Sequence, residues 1–221
     1  MRLKNWVRTF QYGGALLDYY RFTSLLPHAI IRAYESSDFD RCSQIYEANE
    51  VGRFPNGYLR YFQDYLRENR SRILVVEKNG IIVGTGGISL TRYTDELRMA
   101  ALSFGLIDPA HHKKGFGTLL FCARIACLRS SRHHYVTMMS AGNGTERFYR
   151  KLGFQFVAKE SDQDGNFMQY YRVKVLDCDI SRFRTLIANS DCEVRIDFGE
   201  DLIEDDQRAE VKKILQAELQ R

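Results

Sequence analysis

Residues 108–120 have the sequence DPAHHKKGFGTLL. They follow an apolar run, 99–107, that is typical of a buried strand, and they lead into residues 119–128, which are predicted to form a helix. A strand, a short loop and a helix in this order leave backbone N–H groups unpaired at the start of the helix, where the positive end of the helix dipole also lies. An anion is stabilised at such a position.

The loop within this stretch is rich in glycine and lysine. Gly115 and Gly117 have no Cβ atom that would keep an anion away from the backbone amides, and Lys113 and Lys114 add positive charge beside them. Ordinary tight turns can contain the same residues, so a purely conformational role is the alternative. We predict phosphate binding.

Three known types of phosphate-binding loop can be compared with these residues. P-loop NTPases require a Gly-Lys-Ser/Thr ending, whereas here the lysines precede the glycines, and the dinucleotide fingerprint requires a third glycine where Leu120 stands. The pattern Q/R-x-x-G-x-G/A after a strand fits residues 112–117 except at its first position, which is His112. This pattern is the pyrophosphate loop of the GCN5-related N-acetyltransferase (GNAT) superfamily, which the stretch resembles.

A second stretch resembles the same family. Residues 143–154, NGTERFYRKLGF, are similar to the signature N-x-x-A-x-x-F/L-Y-x-K-L-G-F, which follows the fifth strand of GNAT proteins. Glu146 replaces the alanine of that signature. The two stretches occur in the family's order and at about its spacing, and two motifs in context are far more specific than one. The chain is therefore identified by resemblance as a member of the GNAT superfamily.

The resemblance implies an α/β acyl-CoA N-acyltransferase fold. Such a fold has a mixed, mostly antiparallel sheet of about seven strands with helices on both faces. The resemblance and the hydrophobic periodicity together divide the chain into an N-terminal helical extension (residues 1–29), a GNAT domain (30–177) and a C-terminal helical extension (178–221).

Local patterns predict the elements along the chain. Apolar runs predict strands at 28–34, 73–77, 81–90, 99–107, 133–140, 154–157 and 168–175. Capping residues at 36–40 predict the start of a helix that runs to about residue 50. Helical spacing predicts further helices after Pro55 and at 119–128, 145–152, 181–188 and 203–219. Lys78-Asn79-Gly80 predicts a tight hairpin turn between the second and third strands. By resemblance, residues 49–62 line the acceptor site.

The resemblance also implies a function, the direct transfer of an acyl group from acetyl-CoA or another acyl-CoA to a primary amine in a ternary complex. The acceptor is a small molecule or a peptide, and the sequence does not choose between them. Contacts with the cofactor are assigned by resemblance to Leu106, Ile107, His112, Lys113, Lys114, Gly115, Phe116, Gly117, Thr118 and Asn143. Of these, the loop amides bind the pyrophosphate, Leu106 or Ile107 offers an N–H to the thioester oxygen, and Asn143 contacts the pantetheine side.

Tyr149 occupies the position of the family's general acid. The leaving thiolate needs a proton, and a tyrosine with a pKa of about 10 is a competent donor to a thiol whose pKa is about 8.5. The alternative is that Tyr149 is a packed aromatic residue beside Phe148. No general base stands out among the candidates Glu96, Ser103, His133 and His134. The lack of an obvious general base fits an acceptor amine that is weakly basic, or a water relay that removes its proton.

Departures from the family pattern favour a second interpretation. His112 replaces glutamine or arginine, Glu146 replaces a small residue, and no base is obvious. The alternative function is therefore a non-catalytic acyl-CoA-binding or scaffold protein with the same fold. His111 has no assigned role and is predicted to be a solvated loop residue.

Composition and charge narrow the classes of partner. The 221 residues carry a formal net charge of +4 and have a pI of about 8.8, which suits a polyanionic ligand such as CoA but not nucleic acid. The five cysteines, Cys42, Cys122, Cys127, Cys178 and Cys192, lack metal-binding spacing, so we expect no metal site and a cytoplasmic location. We expect no transmembrane segment and no signal peptide. A homodimer is compatible with the sequence.

Overall fold

The computed structural model describes residues 26–50, 58–68, 72–90, 99–128, 135–140, 154–161, 167–174 and 180–196. The helices predicted before residue 26, at 145–152 and at 203–219 lie outside these ranges.

The described residues form eight strands, four α-helices and two short 3₁₀ helices. The strands are β1 (Ile30–Ala33), β2 (Arg72–Lys78), β3 (Ile81–Leu90), β4 (Met99–Ile107), β5 (Tyr135–Ser140), β6 (Gln155–Ser161), β7 (Phe167–Lys174) and β8 (Glu193–Arg195). The α-helices are α1 (Phe39–Glu50), α2 (Tyr58–Glu68), α3 (Phe116–Ala126) and α4 (Ile180–Ala188). The 3₁₀ helices are Ser36–Asp38 and Pro109–His111.

The strands form one sheet in the order β6-β7-β5-β4-β3-β2-β1-β8. β4 pairs with β5 and β1 with β8 in parallel, and the other neighbouring strands pair antiparallel. The predicted mixed, mostly antiparallel sheet is confirmed, with eight described strands against about seven expected.

The additional strand, β8, lies in residues 178–221, for which the sequence predicts only helices. Its three residues contain one apolar side chain, Val194, and so carry no periodicity that could predict a strand. Pairing across the fold defines it instead, since the N–H of Glu193 donates to the carbonyl of Ala29 at 2.9 Å. The predicted helix in the same region is present as α4.

Helices cover both faces of the sheet, as predicted, and bury two apolar clusters. On one face, α3 and α4 pack over a cluster that includes Leu74, Val76, Val83, Leu102, Leu120, Ile125, Leu186 and Ile187. On the other face, α1 and α2 pack over a cluster that includes Ile45, Tyr46, Phe62, Leu66, Ile73, Val75 and Leu106. Successive residues of β2 go to opposite clusters because side chains alternate along a strand.

β4 contains a bulge in its middle. The register between β3 and β4 shifts by one residue, so that Phe104 and Gly105 together occupy one position opposite β3. Phe104 has a φ of 45°, in the left-handed region that residues with a Cβ rarely adopt. The bulge reverses the faces of the residues that follow it: Leu102 packs with α3, whereas Leu106 packs with α1 and α2.

The tight turn between β2 and β3 is confirmed, and the start of α3 differs from the prediction. Asn79 and Gly80 have φ values of 52° and 77°, as a two-residue hairpin turn with both central residues left-handed requires. α3 begins at Phe116 and not at the predicted Leu119. The apolar run marks only the buried part of the helix, whereas Gly115, at a φ of 87°, lets the chain enter the helix directly from the loop.

Candidate functional site

The loop between β4 and α3 is anchored at its first residue, Asp108. Its N–H donates to the carbonyl of Val83 on β3 at 2.9 Å, and its carboxylate accepts the N–H of Ala110 at 2.9 Å. The carboxylate also pairs with Arg41 of α1, whose Nε donates to the carbonyl of Ile82 at 3.0 Å. Burial raises the pKa of Asp108, but the Ala110 N–H and Arg41 together outweigh it, so the pKa lies below its usual range. Asp108 is therefore held as a carboxylate.

The first turn of α3 has backbone N–H groups that take no part in the hydrogen bonds of the helix. The first of these bonds joins the N–H of Leu119 to the carbonyl of Gly115 at 2.9 Å, so the N–H groups of Phe116, Gly117 and Thr118 have no acceptor within the helix. Gly115 is the N-cap residue, and its lack of a side chain leaves the helix start without a side-chain cap. These amides and the helix dipole form an anion-binding arrangement.

The two glycines of the loop differ in whether another residue could take their place. Gly115 adopts a left-handed φ, at which any residue with a Cβ is strained. Gly117 is exposed in the first turn of α3, and a Cβ there would meet only Cγ1 of Ile107, at an ordinary contact distance of 3.7 Å. Gly117 therefore leaves open space beside the amides, and alanine would fit there, as the motif allows.

His112, which replaces the glutamine or arginine of the motif, folds back on the end of β4. Its Nε2 donates to the carbonyl of Ile107 at 2.8 Å, and its backbone N–H donates to the carbonyl of Pro109 at 3.2 Å. Binding of phosphate by the His112 amide would therefore compete with a turn hydrogen bond. His111, predicted to be solvated, is half-buried and packs edge-on against Phe116, with ring centroids 5.5 Å apart.

Lys78, at the end of β2, adds a positive charge that sequence analysis did not identify. Its Nζ lies 5.5 Å from the ring centroid of Phe116, the first residue of α3. Lys113 and Lys114 are exposed in the loop itself, and Nζ of Lys114 donates to the carbonyl of Ala110 at 2.7 Å. Lys78 could not be found by a motif, because its position depends on the β2–β3 hairpin reaching the same end of the sheet as the loop.

β4 and β5 separate before either strand ends. Their pairing ends at Leu102 and Met138, although β4 continues to Ile107 and β5 to Ser140. The opening between the two strands lies directly before the loop. The two strands therefore splay apart beside the loop.

The pairing of β4 with β3 decides which backbone groups face this opening. Asp108 donates its N–H to β3, and Ile107 and Leu106 are the two residues before it in the same ladder. Successive residues of an antiparallel ladder alternate between facing the partner strand and facing away from it. Ile107 therefore directs its N–H and C=O toward the opening, whereas Leu106 directs them toward β3.

An aromatic cluster borders the bulge on the face covered by α1 and α2. The ring centroid of Phe104 lies 5.0 Å from those of Phe62 and Tyr65, 5.9 Å from that of Tyr61 and 6.5 Å from that of Tyr46. Tyr61 is 62% exposed. Tyr61 and Phe62 of this cluster belong to residues 49–62, which sequence analysis assigns by resemblance to the acceptor site.

Asn49 connects the last turn of α1 to the end of β4. It is 6% exposed, and its Nδ2 donates to the carbonyls of Ile45 at 2.8 Å and Ile107 at 2.9 Å. Sequence analysis includes Asn49 in the acceptor region without a specific role. A local pattern carries no signal for a contact with a residue 58 positions away.

A buried arginine lies beneath the bulge on the opposite face. Arg124 of α3 is 4% exposed, and its Nη1 donates to the carbonyl of Ser103 at 3.3 Å. A Cβ at Gly105 would lie 2.6 Å from Nη2 of Arg124, so a larger residue there would displace the guanidinium. Sequence analysis missed Arg124, because nothing in the helix pattern distinguishes a buried arginine from a solvated one.

Six of the candidate residues lie outside the described part of the chain, so their roles stay predictions: Asn143, Glu146, Tyr149, Glu96, His133 and His134. Within the described ranges, His, Cys, Asp and Glu side chains form no group of three or more that could hold a metal ion. No helix in that part of the chain is both long and apolar enough to cross a membrane.

The cysteines that the structure describes are poorly suited to act as nucleophiles. Cys42, Cys122 and Cys127 are buried, and Cys192 is half-buried. Burial raises the pKa of the Cys42 thiol to about 12 and also raises the pKa of Cys192. Because the thiolate is the reactive form, these thiols are held in an unreactive state.

Residues 69–156 match a family model described as an acetyltransferase (GNAT) domain. The matched range contains β2 to β5, the loop before α3 and both motifs quoted above. No curated protein matches the chain in sequence.

Solved structures share the fold of this chain. A GNAT-family protein from Desulfovibrio desulfuricans has a TM-score of 0.57 at 17% identity, covering 66% of this chain and 99% of that one. YncA from Salmonella typhimurium, solved with acetyl-CoA, has a TM-score of 0.54 at 20% identity, with coverages of 67% and 95%. The ribosomal-protein-S18-alanine N-acetyltransferase from Escherichia coli has a TM-score of 0.53 at 17% identity, with coverages of 66% and 92%. At these identities the likeness establishes the fold.

Proposed function

We propose that this chain, whose residues 69–156 match an acetyltransferase (GNAT) domain, uses acetyl-CoA to transfer an acyl group, in the first instance acetyl, to a primary amine of a small molecule or a peptide. One observation carries the proposal: the start of α3, without a side-chain cap, follows β4 beside the opening between β4 and β5. A pyrophosphate at the helix start and an acyl arm along β4 fit this arrangement.

The residues of the loop fit the pyrophosphate of acetyl-CoA. The N–H groups of Phe116, Gly117 and Thr118 supply donors, and the helix dipole favours negative charge at this point. Lys113 and Lys114, which are exposed, add positive charge around the amides. Acetyl-CoA supplies the activated thioester, so the protein has to hold the cofactor, stabilise charge on the carbonyl oxygen and admit the amine.

Of the two predicted donors to the thioester oxygen, Ile107 is the one we propose. Its N–H is directed toward the opening between β4 and β5, whereas Leu106 is directed toward β3. A backbone N–H that is already oriented before the reaction stabilises the negative charge that develops on the oxygen. Leu106 then contributes through its buried side chain in the core.

Transfer is proposed to be direct, within a ternary complex. The amine nitrogen forms a bond to the acyl carbon while the carbon–sulfur bond breaks; the nitrogen loses a proton and the thiolate gains one. An acyl-enzyme intermediate on Cys42, Cys122 or Cys127 is disfavoured, because these thiols are buried. A cytoplasmic location is proposed because the five cysteines of the sequence have neither an even number nor a spacing typical of disulfides or metal sites.

Tyr149 is proposed as the proton donor to the leaving thiolate. Replacement of Tyr149 by Phe keeps the ring but removes the proton, so we expect turnover to fall by about 10²–10⁴-fold while affinity for CoA and the melting temperature barely change. Turnover has to be measured where chemistry limits the rate. Near wild-type turnover of Tyr149→Phe under those conditions would assign Tyr149 to packing.

Stabilisation by ligand tests the cofactor site. A ligand that binds only the native state raises its stability by about 2.7 kcal/mol at one hundred times its dissociation constant. We therefore expect the melting temperature of the full chain to rise with millimolar CoA or acetyl-CoA, and adenosine serves as the control that lacks the pyrophosphate. The site would be refuted by an unchanged melting temperature with CoA, acetyl-CoA and a longer acyl-CoA.

The second candidate function is non-catalytic binding of acyl-CoA. One observation favours it, namely that His112 uses both its Nε2 and its backbone N–H within the protein, so the first position of the motif has no ready donor for a phosphate. A panel of peptides, polyamines, aminoglycosides and amino acids separates the two functions. Binding of acetyl-CoA without turnover of any acceptor would support the non-catalytic function.

A further inference from the structure

The carbonyl oxygen of Ile107 accepts hydrogen bonds from two side chains on different elements. Nδ2 of Asn49, in the last turn of α1, lies 2.9 Å from it, and Nε2 of His112, in the loop, lies 2.8 Å from it. A carbonyl oxygen has two lone pairs, so both are used. Because Ile107 faces away from β3, neither bond belongs to the β3–β4 ladder.

The partners determine how both side chains are oriented. The Asn49 side chain faces two carbonyl oxygens, those of Ile45 and Ile107, so its nitrogen and not its oxygen must occupy that position. Nε2 of His112 must carry a hydrogen for the same reason, whether the ring is neutral or protonated. Both side chains are therefore donors to Ile107.

We propose that Asn49 and His112 are positioning residues that orient the backbone groups of Ile107 for acyl-CoA. The inference rests on the proposed function, in which the Ile107 N–H contacts the thioester oxygen. The N–H and C=O of one residue in an extended strand point in the same direction, so two donors that hold the C=O also set the direction of the N–H. His112 thus acts through the end of β4 and not through a phosphate.

α1 contacts two successive residues at this end of β4. Asn49 binds Ile107, and Arg41 pairs with Asp108. The same helix contributes Tyr46 to the aromatic cluster around Phe104 on the acceptor side. A shift of α1 on acceptor binding would therefore reach the Ile107 peptide through a direct hydrogen bond.

Two variants of the full chain test the proposal. Asn49→Leu and His112→Phe each retain side-chain volume but remove a donor to Ile107. We expect each to lower kcat about tenfold, as loss of one hydrogen bond that orients a catalytic group would. In the wild type, addition of acetyl-CoA should change the NMR chemical shift of the Ile107 backbone amide. In both variants this change in chemical shift should be smaller.

Two further variants separate positioning from other effects. His112→Gln is the conservative comparison, because the glutamine nitrogen can reach the Ile107 carbonyl, and we expect it to restore most of the kcat lost in His112→Phe. A gain in CoA affinity without that restoration would instead identify His112 as a weakened phosphate contact and overturn its positioning role. Ser43→Ala removes another buried polar group of α1, one that bonds to Gln63, and should leave kcat and the Ile107 resonance unchanged.

The outcomes distinguish this inference from the function on which it rests. Absence of CoA and acetyl-CoA binding by the wild type would overturn both. Normal binding and turnover by the wild type, with unchanged kcat and an unchanged Ile107 response in Asn49→Leu and His112→Phe, would overturn the positioning role alone. If Asn49→Leu does not fold, His112→Phe decides the question, since it alters a loop residue.

Discussion

The backbone angle of Gly115 distinguishes it from Gly117, the other glycine of the loop. Gly115→Ala places a Cβ in the left-handed region, and we expect it to lower the free energy of unfolding by about 1–2 kcal/mol and to weaken CoA binding. Gly117→Ala is the matched control, because its Cβ would meet only an ordinary contact with Ile107 and alanine favours a helix. Urea denaturation of both variants gives the comparison. Equal losses of stability would contradict the different requirements of the two positions.

Sequence patterns single out residues that are adjacent in the chain, but they do not show contacts made from other elements. The run from Lys113 to Thr118 could be found because its glycines and lysines are adjacent in sequence. Lys78 and the contact of Asn49 with Ile107 could not be found, because each depends on contacts between elements. The hydrogen bond of the His112 side chain to Ile107 could not be predicted either. A motif shows that histidine replaces the usual residue, but it does not show what the histidine contacts.

An arginine of α4 caps the end of α3. Nε of Arg184 donates to the carbonyl of Ala126 and Nη2 to that of Leu128, both at 2.8 Å. Arg184→Met keeps the apolar stem but removes these donors, so we expect a loss of about 1.5–3 kcal/mol in the free energy of unfolding. Arg195→Met, which removes an exposed pair with Glu193, is the control and should leave the unfolding midpoint nearly unchanged. A similar midpoint shift for both variants would contradict the capping role.

The junction of β1 and α1 depends on a buried carboxylate, Asp38. Burial raises its pKa, but a two-point contact with Arg32 and the N–H of Glu35 outweigh burial, so the pKa lies below its usual range. A group whose pKa is lowered on folding contributes stability above its unfolded pKa of about 3.9 and loses it as pH falls through the folded value. Asp38→Asn should therefore cost about 1.5–3 kcal/mol near neutral pH, as for a lost hydrogen bond to a charged group, since Arg32 keeps its pair with Glu77, and it should flatten the acid limb of the stability profile. Asp64→Asn, at a more exposed pair with Arg67, is the control, and an acid limb as steep in Asp38→Asn as in the wild type would refute this role.

Element boundaries were predictable where the local pattern is strong. β3 and β4 begin and end at the predicted residues, because each is a long apolar run bounded by turn residues. β8 was not predictable, because its three residues are ordered by pairing with β1. The bulge at Phe104 also lacks a sequence signal, since an extra residue in a strand changes the pairing without changing the composition.

Residues 180–196, which follow the predicted GNAT domain, are part of the same core as the sheet. Leu186 and Ile187 of α4 are buried in the cluster with α3, and burial of each such side chain contributes about 1.5–3 kcal/mol. We therefore expect a chain ending at residue 177 to lose cooperative thermal unfolding, and a chain ending at residue 196 to retain it. Circular dichroism with and without CoA compares the two. Equal melting temperatures would show that the domain ends at the earlier boundary.

The pairing of β8 with β1 has a consequence for synthesis of the chain. Sγ of Cys192, next to β8, donates to the carbonyl of Pro27, which lies 165 residues earlier in the chain. β1, the strand that pairs with β8, therefore leaves the ribosome long before β8 does. Until β8 emerges, the outer edge of β1 presents unpaired backbone groups to any neighbouring nascent chain. Contacts of such high sequence separation also form slowly. Premature termination before β8 would therefore yield a product prone to self-association.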